Sequence, residues 1–254
     1  IKSSAASDVY KRQNLGGDER IYPASMTKIM TALLTIENLP DLNETITVPE
    51  DIFEELTAQD ASVAGFNPYE QPTVRDLLYG VLLPSGADAC ETLARAVGGS
   101  EEGFVAMMNQ KAEELGLTNT HFENCTGLHN DNHYSTCRDI AVLMSECLKS
   151  DTFREIVTRE VYTTEATASH PEGITLYDTM LHRFTSYEMS TTLENGAVIE
   201  GGKTGFTDEA GQCLVSFAEY GGEEYILVTA EAMTDSGSAV DSIADASTVY
   251  GRLQ

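Results

Sequence analysis

Apolar residues recur with a helical period over six stretches of the chain. In the first, which begins after Pro23, the apolar positions lie three or four residues apart: Met26, Ile29, Met30, Leu33 and Leu34. This spacing places them on one face of an α-helix and predicts a helix with a buried side. The same period predicts five more helices, over residues 73–83, 87–99, 100–117, 135–150 and 238–253.

Polar residues that cap helices stand at several of the predicted starts. Thr73 is followed three residues later by Asp76, the arrangement of a capping box, and Ser100 precedes two glutamates in a first turn. The helix over 135–150 has two candidate caps, Ser135 and Thr136. These signals fix where we expect the helices to begin.

Strand patterns replace the helical period in two regions. Residues 44–52 alternate as a short strand that leads into a turn, and residues 197–206 and 211–233 are typical of longer strands. Gly221 and Gly222 divide the last stretch into a hairpin. Helices in the middle, an antiparallel sheet late and a helix packed over it predict an α+β fold, without the regular strand–helix alternation of a Rossmann domain.

The composition excludes several classes of function. The chain has 254 residues, with 41 acidic against 15 basic side chains and a formal net charge of −26. Binding of nucleic acid or of an anionic membrane surface needs clustered Lys and Arg, which the sequence lacks, so neither partner is expected. No apolar run reaches the roughly 18 residues of a transmembrane segment. Five widely spaced cysteines and five histidines form no metal-binding pattern, and we expect no metal and no cofactor.

Ser25 and Lys28 lie three residues apart at the start of the first predicted helix. A serine at such a position usually caps the helix, and a lysine usually extends into solvent. Residues three apart share one face, however, so the lysine can act as a base for the hydroxyl if burial or a neighbouring positive charge lowers its pKa. The positive end of the helix dipole would stabilise negative charge that develops beside Ser25. Both interpretations stay open at this point.

Two further segments add hydroxyl and amine groups. Ser85 lies in the loop PSGADA, and Lys203, Thr204 and Gly205 lie on a predicted late strand. Taken singly, Ser85 is explained as the cap of the next helix, and the other segment as a strand end with a turn glycine. The order S-x-x-K, S-G-x, K-T-G over about 180 residues is a much rarer pattern. We refer to these three motifs as the first, second and third boxes. The first and third match the signature of penicillin-binding proteins and class A β-lactamases, whose second box is S-D-N.

With these motifs the chain resembles the serine-type D-alanyl-D-alanine carboxypeptidases, the low-molecular-mass penicillin-binding proteins of peptidase family S11. The likeness extends from about residue 14 to the end. It implies a β-lactamase/transpeptidase-like fold, in which an antiparallel sheet packs against a helical subdomain. The stretches that carry the likeness are RIYPASMTKIMTALL, LLYGVLLPSGADAC, HFENCTGLHNDNHYSTCRDIAVL and GGKTGFTDEAGQCLVS.

The resemblance implies a role for each motif residue. Ser25 is expected to attack the carbonyl of the penultimate D-Ala, with Lys28 as its general base. Ser85 is expected to pass a proton to the leaving D-Ala and to help position the hydrolytic water. Lys203 is expected to supply a positive field that keeps Lys28 neutral, and Thr204 to hydrogen-bond the terminal carboxylate of the substrate.

Three further positions complete the site that the resemblance implies. The backbone N–H groups of Ser25 and Phe206 would form the oxyanion hole, and the strand around Gly205 would hold the peptide by edge pairing. Arg183 is a candidate for binding the carboxylate, although its simpler interpretation is a solvated surface arginine. Ala87 departs from the family, which usually has Asn there, and its methyl group removes hydrogen bonds worth about 1–3 kcal/mol.

The family implies an extracytoplasmic enzyme of the cell envelope that acts on peptidoglycan stem peptides ending in D-Ala-D-Ala and is inhibited by β-lactams. One alternative is a serine β-lactamase, although no E-x-x-L-N box lies between Ser85 and Lys203. Another is a weakly active penicillin-binding protein, because of Ala87. We expect residues 1–13 to be a non-native or disordered remnant and residues 14–254 to be a single catalytic domain. A signal peptide, a second C-terminal domain and an anchor are not expected in this chain.

Overall fold

The helical period of the sequence appears as nine α-helices in the described part of the chain. The structure, a computed structural model, describes residues 2–6, 11–232 and 240–254, with side chains for 15–232 and 240–254. The helices are, in chain order, α1 (Lys28–Asn38), α2 (Ile52–Ala58), α3 (Val74–Leu82), α4 (Ala87–Gly98), α5 (Glu101–Glu114), α6 (Cys137–Cys147), α7 (Asp151–Val157), α8 (Leu181–Ser186) and α9 (Asp241–Tyr250).

The six predicted helices are confirmed, and so are the capping residues predicted for α3, α5 and α6. Thr73 and Asp76 form a reciprocal capping box at α3, and the Ser100 hydroxyl accepts a backbone hydrogen bond in the first turn of α5. Of the two candidates at α6, it is Thr136 that caps the helix. The closing helix α9 is present, although residues 238 and 239 of its predicted range lie outside the described residues.

The late strands form an antiparallel sheet, as predicted. Five strands pair in the order β2-β1-β9-β8-β7, and two short pairs, β3–β4 and β5–β6, lie apart from them. Gly221 and Gly222 form the β8–β9 turn with φ of 64° and 82°, a conformation that glycine adopts without strain. The strands are β1 (Lys2–Ala6), β2 (Lys11–Leu15), β3 (Arg20–Ile21), β4 (Ser135–Thr136), β5 (Val161–Thr163), β6 (Thr175–Tyr177), β7 (Val198–Thr207), β8 (Gly211–Tyr220) and β9 (Glu223–Ala232).

The first residues of the chain contribute strands that the sequence pattern did not predict. The backbone of β1 pairs with β9 on one side and with β2 on the other. Residue 1 and residues 7–10 lie outside the described residues. The expectation that residues 1–13 are a remnant beside a domain of residues 14–254 stays a prediction.

The short strand predicted over residues 44–52 is wrong in its extent. The segment makes a single isolated bridge, between Thr45 and Thr73. Ile46 donates its N–H to the carbonyl of Pro72, and Val48 donates to the carbonyl of Glu70. Because Pro72 has no N–H, it cannot return a hydrogen bond to Ile46, and this pair is bonded in one direction only.

The two faces of the sheet pack against different helices. Along β8 and β9, alternate side chains enter a large core with the helical part of the chain, including Val215, Phe217 and Val228. The residues between them, such as Leu214 and Leu227, enter a second core with α8 and α9. An antiparallel sheet packed against a helical subdomain and covered by a final helix is therefore confirmed, and the fold is α+β. Among the described helices, none has the length and apolar character needed to span a bilayer.

Candidate active site

Ser25 lies in a short 3₁₀ helix, Ala24–Thr27, which leads directly into α1. Ala24 has φ of 46°, a left-handed conformation that is strained for a residue with a side chain. Neither the 3₁₀ helix nor α1 has a side-chain cap, so the interpretation of Ser25 as a helix cap is wrong. Its hydroxyl oxygen instead lies 3.0 Å from Lys28 Nζ.

Lys28 is buried, with 3% of its surface exposed. Its Nζ donates to the carbonyl oxygen of Thr126 at 2.6 Å as well as contacting Ser25 Oγ. Burial lowers the pKa of Lys28, and the nearby acidic groups of Cys90 and Cys125 oppose that shift only in part. An amine that is more easily deprotonated, at hydrogen-bond distance from a hydroxyl, is the arrangement required of a general base.

A loop at residues 124–128 holds Lys28, and sequence reasoning missed its contribution. The Asn124 side chain organises the loop, because its Oδ1 accepts from the N–H groups of Thr126 and Gly127. Gly127 is pressed against the nucleophile segment: a Cβ on it would come within 1.9 Å of the Ala24 carbonyl oxygen. The stretch HFENCTGLH entered the sequence argument only as a likeness, since a backbone carbonyl that binds a lysine has no residue signature.

His133 supports the same segment from the other side. Its Nδ1 accepts from the Glu123 N–H at 3.1 Å, so the ring proton sits on Nε2, which is 2.8 Å from Thr27 Oγ1. Burial lowers the pKa of His133 to about 3, so the ring is neutral near pH 7. Thr27 stands between Ser25 and Lys28, and its hydroxyl is thereby fixed.

Ser85 follows the end of α3 and has φ of 68°. Its Oγ is buried and has no hydrogen-bond partner among the described residues, a state that a hydroxyl rarely keeps unless a ligand or water completes it. Its alternative role as the cap of α4 is not observed, because Gly86 is the capping position and no side chain bonds there. Ala87, the position of the family's Asn, is the first residue of α4 and is buried.

Lys203, Thr204 and Gly205 lie on β7, which packs directly against the 3₁₀ helix. A Cβ on Gly205 would come within 3.0 Å of the Ser25 backbone nitrogen, so the strand passes beside the nucleophile. Lys203 is 1% exposed, and its Nζ donates to the Thr204 carbonyl oxygen at 3.0 Å. Burial, together with the charge of Lys28, lowers the pKa of Lys203. The third box and the first therefore meet, as predicted.

The two peripheral candidates border this region. The Phe206 side chain is 56% exposed at the edge of β7, which leaves only its backbone for the predicted oxyanion role. Arg183 is half-buried on α8, and burial lowers its pKa, so it is not simply a solvated surface arginine. It lines a cavity of about 390 Å³ together with Pro84, Tyr177 and Thr179. The roles assigned to both residues stay predictions.

One group of described side chains has the spacing of metal ligands. Donor atoms of Glu91, Glu101 and Cys125 lie within 4.8 Å of one another. Burial raises the pKa of Glu91 to about 8, with Glu101 adding to the shift, and burial also raises the pKa of the Cys125 thiol. Groups that keep their protons near pH 7 are poor ligands, and the Cys125 Sγ to Glu91 contact of 3.6 Å is explained as a hydrogen bond. The expectation of no metal stays a prediction.

This fold, with Ser25 next to the buried Lys28 and beside an edge strand, defines the class of serine DD-peptidases. The family model described as D-alanyl-D-alanine carboxypeptidase, peptidase family S11, matches residues 9–234. The chain belongs to this family, which confirms the resemblance found in the sequence.

The chain is similar to several members of known name. It is 36% identical to the D-alanyl-D-alanine carboxypeptidase DacF of Bacillus subtilis over 87% of this chain and 54% of that relative. It is also 36% identical to a D-alanyl-D-alanine carboxypeptidase of Streptomyces sp. K15, over 82% and 72% of the two chains. The crystal structure of the Streptomyces K15 DD-transpeptidase superposes with a TM-score of 0.84 at 30% identity, covering 99% of this chain and 96% of that one. The chain spans about half the length of DacF.

Proposed function

We propose that the protein is a serine D-Ala-D-Ala carboxypeptidase that removes the terminal D-Ala from peptidoglycan stem peptides. The observation that carries the proposal is the pair of Ser25 Oγ and Lys28 Nζ, 3.0 Å apart, with the lysine buried. The names of the relatives support the same activity. Because the substrate lies outside the cytoplasmic membrane, the protein acts there.

Acylation begins when the lone pair of the neutral Lys28 amine takes the proton of the Ser25 hydroxyl. Oγ bonds to the carbonyl carbon of the penultimate D-Ala, and the carbonyl electrons move onto the oxygen. The backbone N–H groups of Ser25 and Phe206 stabilise that negative charge. The C–N bond to the terminal D-Ala then breaks as the proton that Lys28 took passes through Ser85 to the leaving amine, which leaves a neutral Lys28 and an acyl-enzyme on Ser25.

Deacylation repeats these steps with water as the nucleophile. A water molecule beside Ser85 passes a proton through that hydroxyl to the neutral Lys28 amine as its oxygen bonds to the acyl carbon, and the ester bond to Ser25 Oγ breaks. The serine recovers its proton from Lys28, and the shortened peptide leaves as a carboxylate. The buried hydroxyl of Ser85, which has no partner among the described residues, supports its place in both proton transfers.

The terminal carboxylate of the substrate binds at the third box. Thr204 supplies a hydroxyl beside the buried amine of Lys203, and Arg183 lines the adjoining cavity together with Thr179. A β-lactam presents a strained amide and a carboxylate in a similar arrangement, so it acylates the same serine. Its leaving amine stays tethered to the acyl group, which blocks the water and makes it an inhibitor.

Ala87 favours a second candidate, a penicillin-binding protein that acylates but turns over slowly. Its buried methyl group stands where the family usually has an amide, and no polar group of its side chain can hold the water or the substrate backbone. A serine β-lactamase is not better supported by any observation here.

The test follows two signals over time: D-Ala release from a peptide ending in D-Ala-D-Ala, and labelling by a fluorescent penicillin. Release together with lasting label supports the carboxypeptidase, label without release supports the slow binder, and rapid loss of label supports a β-lactamase. Ser25→Ala is expected to abolish both signals, and Ser186→Ala, at an exposed serine of α8, to change neither. Release that persists in Ser25→Ala rejects the proposal.

A further inference from the structure

Thr179 connects the segment that carries Ser85 with the strand that carries Thr204. Its backbone N–H donates to the carbonyl oxygen of Leu83 at 3.1 Å, and Leu83 stands two residues before Ser85. Its Oγ1 lies 2.6 Å from Thr204 Oγ1. One residue outside the three motifs is therefore bonded to both sides of the site.

The backbone around Thr179 is held firmly in place. The preceding residue, Asp178, is 1% exposed, and its Oδ1 accepts from the N–H groups of Met180 and Leu181 at 2.8 and 2.6 Å. Met180 in turn lies against β7: a Cβ on Gly202 would come within 2.9 Å of Met180 Sδ. Thr179 is thus positioned by its neighbours and not by the contact with Thr204 alone.

The contact between the two hydroxyls has a direction that matters for substrate binding. Each threonine hydroxyl has one proton, so only one of the pair donates to the other. A carboxylate accepts hydrogen bonds and cannot donate one. If Thr204 donates to a substrate carboxylate, its proton is used there, and Thr179 must be the donor between the two hydroxyls. A chain of donors of this kind polarises each bond in it.

We propose that Thr179 is a positioning residue for carboxylate recognition: its hydroxyl donates to Thr204 Oγ1 and so directs the Thr204 proton to the terminal carboxylate of the substrate. This inference rests on the proposed function, because it takes the carboxylate to bind at Thr204. In this proposal Thr179 acts through the Thr204 hydroxyl. It also joins the Ser85 segment to the carboxylate site through its bond to Leu83.

The decisive comparison uses two substrates that differ in one group. A peptide ending in D-Ala-D-Ala offers the carboxylate, and the same peptide with a C-terminal amide does not. Thr179→Val keeps the shape of the side chain and removes the hydroxyl, whereas Thr179→Ser keeps the hydroxyl. Thr163→Val is the matched control, because it removes another threonine–threonine contact, with Thr175 at 3.3 Å, from an exposed part of the same region.

For the peptide acid, Thr179→Val is expected to lower kcat/KM about tenfold or more. A change of this size is expected when a hydrogen bond that supports binding of a charged group is lost. The loss is expected in KM, because the carboxylate is bound equally in the ground and transition states. For the amide, the same variant is expected to be unchanged. Thr179→Ser is expected to retain most of the activity toward the acid, and Thr163→Val all of it. In a Thr204→Val background, adding Thr179→Val is expected to cost nothing further.

Equal losses for acid and amide overturn the proposal, since a purely structural role affects both substrates alike. An unchanged Thr179→Val enzyme overturns it as well. Binding of the two peptides to Ser25→Ala, with and without Thr179→Val, is measured by calorimetry and needs no turnover. If the wild type releases no D-Ala, the proposed function fails, while the acid-over-amide preference in the Ser25→Ala background still decides the role of Thr179.

Discussion

The Thr126 carbonyl oxygen lies closer to Lys28 Nζ, at 2.6 Å, than the Ser25 hydroxyl does, at 3.0 Å. A neutral amine has two N–H groups and one lone pair. With one N–H committed to the Thr126 carbonyl, the amine is oriented so that its lone pair can face Ser25 Oγ. A backbone carbonyl thus determines the direction in which the proposed base acts.

Replacement of Lys28 by Met is expected to abolish D-Ala release and to stabilise the fold at low pH. Burial lowers the pKa of Lys28 in the folded protein. At a pH between this lowered pKa and the ordinary value of 10.5, the lysine takes up a proton when the protein unfolds. The wild type therefore gains stability as pH rises toward 10.5, and the variant lacks this gain. Urea unfolding between about pH 6 and pH 10 measures the difference, which is expected to shrink as pH rises.

Lys149→Met is the control, since this lysine is exposed, with 69% of its side chain accessible. It is expected to leave activity intact. A Lys28→Met variant whose stability relative to the wild type is the same at every pH contradicts the lowered pKa.

The rate of acylation is expected to rise with pH, with an apparent pKa below 10.5. Lys28 must be neutral to accept the proton of Ser25, and its pKa is lowered by burial, so the neutral fraction grows at a pH where an exposed lysine is still charged. The measurement is kcat/KM for D-Ala release as a function of pH. A rate that falls over the same range shows that a protonated group, and not the neutral amine, is required.

The motif residues were predictable because side-chain types carry the signal, and the groups that orient them were not. Spacing and order single out Ser25, Lys28 and Lys203, whose catalytic roles stay predictions. Thr126 was missed because it contacts Lys28 through its carbonyl, and Thr179 because its proposed role depends on a contact across 25 residues of sequence. The predicted strand over 44–52 failed for a related reason: its partner segment contains Pro72, and pairing depends on both segments.

His133 is expected to contribute stability that is lost as pH falls from about 6.5 toward 3. Its pKa is lowered to about 3 by burial, with smaller contributions from His121 and Lys28, so the unfolded chain binds a proton in this window and the folded protein does not. His133→Gln is expected to lower the free energy of unfolding at pH 7 by about 1–3 kcal/mol, because Thr27 and the Glu123 N–H lose their partner.

Below pH 6.5 the free energy of unfolding of His133→Gln is expected to depend less on pH than that of the wild type, because the variant lacks the titrating imidazole. His182→Gln, at a side chain 48% accessible, controls for the loss of a histidine as such. Parallel pH curves for the wild type and His133→Gln are the contrary result. The measurement is urea unfolding across the window.

Gly127→Ala is expected to remove both activity and much of the stability. Gly127 has φ of 83°, and an added Cβ would lie 1.9 Å from the Ala24 carbonyl oxygen and 3.0 Å from the Ser25 nitrogen. Because these are backbone atoms, the clash is relieved only by moving the 3₁₀ helix that carries the nucleophile. Gly116→Ala is the matched control: φ there is 71°, but a Cβ would meet nothing within 4 Å.

Both substitutions place alanine in a left-handed conformation, at a cost of about 1 kcal/mol each. The close contact is expected to raise the cost at Gly127 to about 3 kcal/mol or more and to reduce D-Ala release at least about a hundredfold, which a displaced nucleophile explains. Gly116→Ala is expected to keep full activity. Urea unfolding and D-Ala release on the two variants measure the difference. If the two variants lose stability and activity equally, backbone strain alone explains the effect, and Gly127 does not position Ser25.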